Sequence, residues 1–345
     1  MKVKEVLSPE AKIKQENRLL KSKVFDLEKE LQSLQKTIQV LKKIENKPIT
    51  LFPFPPVKRD TSGHVTALVL FSDTHFDEVV DPSAIMRKNA YNRSIALLRV
   101  EEFVNNLIKL SKDYTGYVKY DGLVLAMLGD ILSGTIHEDL RETNEKTIID
   151  SVLFWSGVVA SMIKTIYESL ELPMYIPCVV GNHGRVTEKK KVKNYTVDNF
   201  DFLLYKLVES EVNKLGYKIK MDISLSTSKV IKIYNSRILL THGDDFRGGS
   251  GISGNLTPLS IGFFRKSRLM QSFGDGIDYM AVGHFHERSN YHEIMINGSM
   301  KGMDEYAFSH GYAFQEPMQS FILFDPIHQQ TITAPIFCKH PKERW

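Results

Sequence analysis

The hydrophobic positions of the chain fall into two regimes. From Ile13 to Leu41 the spacing alternates between four and three: Ile13, Asn17, Leu20, Val24, Leu27, Leu31, Leu34, Ile38, Leu41. This is a heptad seam, with Asn17, Val24, Leu31 and Ile38 at a and the other five at d. β-Branched Val24 and Ile38 at a, with Leu at four of the five d positions, favour a parallel two-stranded coiled coil, and a single Asn at a fixes register at some cost in stability. Glu16 would face Lys21 of a second copy, and Lys23 would face Glu28, so the flanking charges attract. The expectation is a homodimer through residues 11–44, after a short N-terminal tail, 1–10. Pro48, Pro53, Pro55 and Pro56 then mark residues 45–63 as a semi-rigid extended linker. The main domain is expected at 64–345.

There the period changes. Short β-branched apolar runs recur at Thr66–Ser72, Gly122–Leu128, Met174–Val180, Arg237–Thr241 and Asp278–Val282. Longer helical patterns at 84–112 and 145–171 separate several of them. In the second of these, Ile148, Val152, Trp155, Val159, Met162 and Ile166 form one stripe. Strands alternating with helices predict the α/β class, in which ligands bind beyond the carboxyl ends of the strands.

Charge and cysteine content narrow the function classes. Of the net +4, residues 1–50 hold 12 Lys and Arg against 7 Asp and Glu, so the remainder is close to neutral. A basic arm on a neutral body hints at an acidic partner but lacks the footprint of a strongly basic DNA-binding enzyme. Two distant cysteines, Cys178 and Cys338, cannot make a disulfide framework or a thiolate metal site, which favours a reducing compartment. The first residues lack a signal-peptide core, and no uninterrupted apolar run reaches the roughly 18 residues of a membrane span, so a cytoplasmic protein without a membrane partner is expected.

The chemistry stands at the ends of the five runs. They finish in Ser72-Asp73-Thr74-His75, Gly129-Asp130, Gly181-Asn182-His183, His242-Gly243-Asp244 and Gly283-His284-Phe285-His286. Carboxylate, imidazole and carboxamide donors together suit first-row divalent ions, with Mn expected first and Fe, Zn or Ni acceptable. The ordered set Asp-x-His, Gly-Asp, Gly-Asn-His, His, Gly-His-x-His resembles the calcineurin-like metallophosphoesterase superfamily over roughly residues 65–300. The resemblance implies an α/β/β/α sandwich of two mixed sheets flanked by helices, and two divalent metal ions. It places Asp73, His75 and His286 on the first ion, Asn182, His242 and His284 on the second, and Asp130 between them. It makes His183 the catalytic histidine, with Asn182 and Asp130 also in the catalytic group. Two cations about 3.5–4 Å apart would clamp the phosphoryl oxygens of a phosphodiester, and a hydroxide bridging them would form near neutral pH. His183 would protonate the departing alkoxide.

Gly184 departs from the Gly-Asn-His-Asp or Gly-Asn-His-Glu of many members, so the acid beside the histidine is missing. Asp77, Glu138 and Asp244 are the candidate replacements. The Ser/Thr protein phosphatase pattern is also absent. Arg185, Lys189, Lys190, Lys191 and Lys193 follow the Gly-Asn-His turn as candidate substrate-binding cations. A Gly- and Ser-rich insertion, 247–274, with Arg265, Lys266 and Arg268, is expected to form a mobile cover. Tyr195, Phe263, Phe264 and Tyr306 are candidates for stacking on bases. The leading expectation is a nucleic-acid phosphodiesterase, DNA first, resembling the repair exonucleases and phage-encoded phosphoesterases of the superfamily. The alternative is a phosphoesterase for a small nucleotide or cyclic nucleotide. A non-catalytic coiled-coil binding module is disfavoured, because all seven ligand positions hold competent residues.

Overall fold

The computed structural model describes residues 8–45, 63–246 and 256–343. The proline-rich linker, most of the N-terminal tail and the 247–255 part of the insertion lie outside the described residues. The chain divides into two compact units, Met1–Arg59 and Asp60–Trp345.

In the first unit a single helix, α1, runs Pro9–Glu45. Its 37 residues extend roughly 55 Å at 1.5 Å per residue. The seam side chains Ile13, Leu20, Val24, Leu27, Leu31, Leu34 and Ile38 are all exposed, between 49 and 64%.

The second unit has four layers. Strands β1 (His64–Phe71), β2 (Lys119–Met127), β3 (Met174–Cys178) and β4 (Ile219–Ile223) lie side by side and parallel. In the second sheet, β5 (Ser228–Ile233) is antiparallel to β6 (Ser236–Thr241), while β6, β7 (Tyr279–Val282) and β9 (Ile294–Ile296) run parallel and β8 (Ser289–Tyr291) closes the edge. The first sheet is completed by β10 (Met318–Asp325), antiparallel to β1, and β11 (Gln329–Phe337) outside it.

Each layer boundary is apolar. Leu68, Leu70, Val124 and Ala126 of the first sheet meet Ile231, Ile238, Leu240 and Ala281 of the second. The outer face of the first sheet is covered by α2 (Arg93–Lys109), α4 (Ile148–Leu170) and α5 (Phe200–Lys214), through Phe103, Leu107, Trp155, Val159, Leu204 and Val208. The outer face of the second is covered by α6 (Leu256–Ser272) through Leu259. Two short helices, α3 (Glu138–Thr143) and α7 (Glu305–Ser309), lie in connections. The α/β/β/α sandwich expected for the chain is therefore its architecture.

Three local expectations change. The 84–112 pattern contains a shorter helix, because Met86 and Arg87 have left-handed backbone and Asn92 caps α2 by accepting the Ile95 N–H at 2.9 Å. The second half of the 247–274 insertion is α6, seated on the second sheet, rather than a Gly-rich cover. Among the described residues one helix is long and apolar enough to cross a membrane by length and composition. It is α4, and its stripe of Val152, Trp155, Val159, Met162 and Ile166 is buried on the first sheet.

Candidate metal centre

The five apolar runs are β1, β2, β3, β6 and β7, and each motif begins within three residues of its strand's carboxyl end. Because β1, β2 and β3 are parallel neighbours, and β6 and β7 are too, the motifs gather at one edge of the sandwich. The loops after β1 and β2 continue as a pair beyond the sheet: Asp73 N–H donates to Gly129 O at 3.1 Å and His75 N–H to Asp130 O at 3.1 Å. Asp73, His75, Asp130, His284 and His286 all have positive φ, between 43 and 67°. Such backbone costs on the order of 1–3 kcal/mol per non-glycine residue and is kept where surrounding structure imposes it. Here it turns successive side chains inward.

Three overlapping groups result, each able to offer one donor atom per residue within 4.8 Å: Asp73, His75 and His286; His75, Asp130 and His183; Asp130, His242 and His284. Asp130 belongs to two of them. Asn182 joins the last, its Oδ1 3.1 Å from His242 Nε2. The structure thus brings together all seven residues expected as ligands, with His183 beside them. The rings of His75 and His286 face each other through Nε2 at 3.0 Å, and Asp73 Oδ1 is 3.4 Å from His286 Nε2. His242 Nδ1 lies 2.8 Å from Leu128 O, which can only accept, so Nδ1 carries the proton and Nε2 turns to Asp130 Oδ2 at 3.0 Å. Ring nitrogens, carboxylate and amide oxygens pointing at common spaces are a donor set that fits divalent cations.

The electrostatics agree. Burial, helped by Lys301, holds the His75 pKa well below the usual 6.5. Burial and the neighbouring His242 take His284 down to about 4. Both shifts favour the neutral form of the ring, the form that can ligate. Burial alone would raise the Asp130 carboxyl, but His242 and His183 outweigh it and hold it well below its ordinary value. Burial would likewise lower His242, yet Asp130 carries it up to about 10. The space between Asp130 and His242 therefore favours positive charge.

His183 donates its backbone N–H to Asp130 Oδ1 at 2.7 Å, and its Nδ1–H to Ser133 O at 2.8 Å. That carbonyl occupies the orienting role for which Asp77, Glu138 and Asp244 were candidates. Asp77 is bound instead by Arg93, Ser151 and Trp155. Asp244 is bound by Lys190 and Tyr195, and Glu138 is exposed in the first turn of α3. An acid could not stand at 184 itself: a Cβ there would lie 2.3 Å from Asn199 Oδ1 and 3.0 Å from Asp201 N. Asn199 has no room to yield, because it caps α5 and donates to Gly181 O at 2.8 Å.

Asp201 is the residue that the sequence reading missed. Wholly buried, it accepts the N–H groups of Asp130 (2.9 Å), Gly181 (3.0 Å), Ile131 (3.2 Å) and Leu132 (3.4 Å). It thereby ties the Gly-Asp loop to the Gly-Asn-His loop. Burial and the Asp130 charge push its carboxyl up to about 7. Asn199-x-Asp201 ahead of a helical pattern is a capping signal, but nothing local shows that Asp201 reaches a loop 71 residues earlier. His137 was missed too; its ring lies 5.6 Å from that of His183, centroid to centroid.

The basic rim is smaller than the sequence suggests. Arg185 turns its guanidinium onto the carbonyls of Thr187, Asn182 and Glu188, bracing its own loop. Lys190 pairs with both Asp244 and Asp245. Lys189, Lys191 and Lys193 are exposed. Of the aromatic candidates, Tyr195 is buried, Phe263 of α6 is partly buried against the second sheet's apolar cluster, and Phe264 and Tyr306 are exposed.

No family model matches the chain, and no curated protein matches it. Among solved structures it is similar to a "predicted phosphoesterase" from Streptococcus pneumoniae, at 13% identity over 79% of this chain and 97% of that one, TM-score 0.28. It is similar to Vps29 from Entamoeba histolytica complexed with zinc, at 12% identity over 78% and 99%, TM-score 0.31. It is also similar to the sulfate thiohydrolase SoxB of Thermus thermophilus in complex with glycerol, at 9% identity over 84% and 59%, TM-score 0.30.

Proposed function

We propose that the chain is a two-metal phosphodiesterase of the calcineurin-like metallophosphoesterase type, acting on nucleic acid, DNA first. The observation that carries the reading is that three donor groups overlap at one sheet edge, with Asp130 in two of them and His183 sharing one of those two. Asp73, His75 and His286 would hold one ion, and Asn182, His242 and His284 the other, with Asp130 common to both. When bound, two divalent ions, Mn first, neutralise phosphoryl charge and supply a nucleophile near neutral pH.

The protein's own groups do the rest. Asp130 commits Oδ1 to the His183 N–H, which leaves Oδ2 facing His242 and His75. The Ser133 carbonyl holds the His183 ring by Nδ1–H, so Nε2 remains to carry a proton to a departing alkoxide. Lys189, Lys191 and Lys193 supply exposed positive charge on the adjoining loop. Tyr306, His310 and Tyr312 form an exposed ring cluster, with Tyr306 4.1 Å from His310 and 6.2 Å from Tyr312 between centroids. Such a cluster suits stacking on bases. A small nucleotide substrate is the second reading, favoured by the internal engagement of Arg185 and Lys190.

The test is hydrolysis of bis-p-nitrophenyl phosphate, p-nitrophenyl phosphate, and single-stranded and duplex DNA with Mn, for wild type and His183→Ala. The expected outcome is diester and DNA cleavage that chelator abolishes, falling about 10²- to 10⁴-fold in the variant with metal content unchanged. DNA cleavage should also weaken steeply with salt. Diester turnover with no DNA cleavage would favour the nucleotide reading, and a wild type that binds no metal would refute both.

A further inference from the structure

The mechanism leaves unexplained a buried ion cluster behind the first donor group. His75 is 1% exposed, and its Nε2 faces His286 and Asp130. Its other nitrogen, Nδ1, points away from that space and lies 3.6 Å from Glu78 Oε2. Both atoms are buried, and neither has a hydrogen-bond partner among the described residues. A buried polar atom left unpaired is costly, so two complementary ones facing each other are a bond awaiting a small shift. Closing 3.6 Å to the usual N–H···O separation of about 2.9 Å needs less than an ångström.

Glu78 is well placed to wait. The His75–Glu78 turn is closed by the Glu78 N–H on His75 O at 3.1 Å. Its Oε1 accepts from Lys301 Nζ at 2.7 Å, and Lys301, itself buried, also binds Asp304. One lysine between two carboxylates leaves the cluster with a net negative charge, and the carboxylate oxygen next to His75 is the one without a partner. The same loop steadies the neighbouring ligand: Met300 N–H and Ser299 Oγ–H both donate to Asp73 O, at 3.2 and 2.9 Å. Within the centre, the Nδ1 atoms of His242 and His183 rest on backbone carbonyls. That of His75 faces a carboxylate instead.

We infer that Glu78 is the positioning residue for His75 as a metal ligand, accepting its Nδ1–H so that Nε2 is presented to the ion, and that Lys301 holds Glu78 in that place. A ligand imidazole that donates to a carboxylate is fixed in tautomer and made more basic, and removing such a partner usually costs 10- to 100-fold in metal affinity. The inference rests on the two-metal reading above. It concerns one site of the two, because among the described residues Glu78 makes its hydrogen bonds and ion pairs with His75 and Lys301 and none with His242, His284 or Asn182.

The experiment is a two-site Mn²⁺ titration of the full chain by calorimetry, for wild type, Glu78→Gln and Glu78→Asp, with thermal unfolding of each in chelator. Wild type is expected to bind two ions. Glu78→Gln is expected to lose about 10- to 100-fold in affinity at one site while the other is unchanged. Glu78→Asp, which keeps the charge but retracts it by one methylene, should show a smaller loss at that same site, and it stands in if the glutamine variant does not fold. Equal affinities in all three proteins would overturn the inference. So would equal weakening of both sites accompanied by a lower unfolding temperature in chelator, which would make Glu78 a structural partner of Lys301 alone. A wild type that binds no Mn²⁺ would remove the metal-centre reading itself, a failure distinct from these.

Discussion

Gly184 and Asp201 show how single residues shape the centre from outside the donor set. The acid that often follows Gly-Asn-His would have to occupy space held by the Asn199 cap, so this chain orients His183 with a backbone carbonyl instead. Gly184→Asp is therefore expected to cost on the order of 1–3 kcal/mol through overpacking and to bring no gain in turnover. Thermal unfolding beside diester kinetics checks it, and a stable, faster variant would show that Asn199 can move. Asp201→Asn is expected to cost about 2–4 kcal/mol, since an amide nitrogen would confront N–H groups that now share two carboxylate oxygens. Urea unfolding measures that loss, and metal affinity should fall with it at both sites, because Asp130 and Asn182 sit on the two loops that Asp201 joins. Unchanged affinity at both would leave Asp201 a purely structural cap.

At the scale of elements, α1 and α4 have opposite fates although both are long. α4 is hydrophobic around much of its girth and buries its stripe on the first sheet. The narrow seam of α1 is exposed along its length, and half-exposed leucines at heptad spacing are what a second copy would cover. The full chain is expected to be a dimer by light scattering, and Leu27→Asp with Leu34→Asp to be a monomer that still hydrolyses a small diester. A monomeric wild type would end the coiled-coil reading. The strands divide similarly. Those carrying motifs are continuous apolar runs because both faces are covered, and so they can be seen in the sequence. β4, β5, β8 and β11 lie towards sheet edges with mixed exposure, and short or irregular alternation hid them.

For the whole molecule, the buried ions behind the site make stability depend on acid pH. Burial would raise the Asp304 carboxyl, but Lys301 outweighs it and holds the pKa at about 2 against an ordinary 3.8. A depressed carboxyl stabilises the fold fully above its unfolded pKa, and the contribution is lost as pH falls through the folded value. Wild type should exceed Asp304→Asn by roughly 2 kcal/mol near pH 6, and the gap should close between about pH 4 and pH 2. Asparagine still caps α7, so the comparison isolates the charge. Urea unfolding across that range in chelator tests it; a gap that does not narrow would mean that Lys301 is not the cause.

The residues themselves determined the heptad seam, the α/β alternation and the order of the strand-end donors. Each of these is local: a side chain's type, at a fixed spacing from its neighbours, is enough to encode it. Tertiary structure alone decided which donors share Asp130, why position 184 must be glycine, and that Arg185 and Lys190 are turned inward. It also decided that Lys301 reaches Glu78 across 223 residues and that Asp201 reaches back 71 residues to Asp130. Those partnerships depend on which strand lies beside which. No periodicity records that, because the chain fixes it only when its apolar faces are buried together.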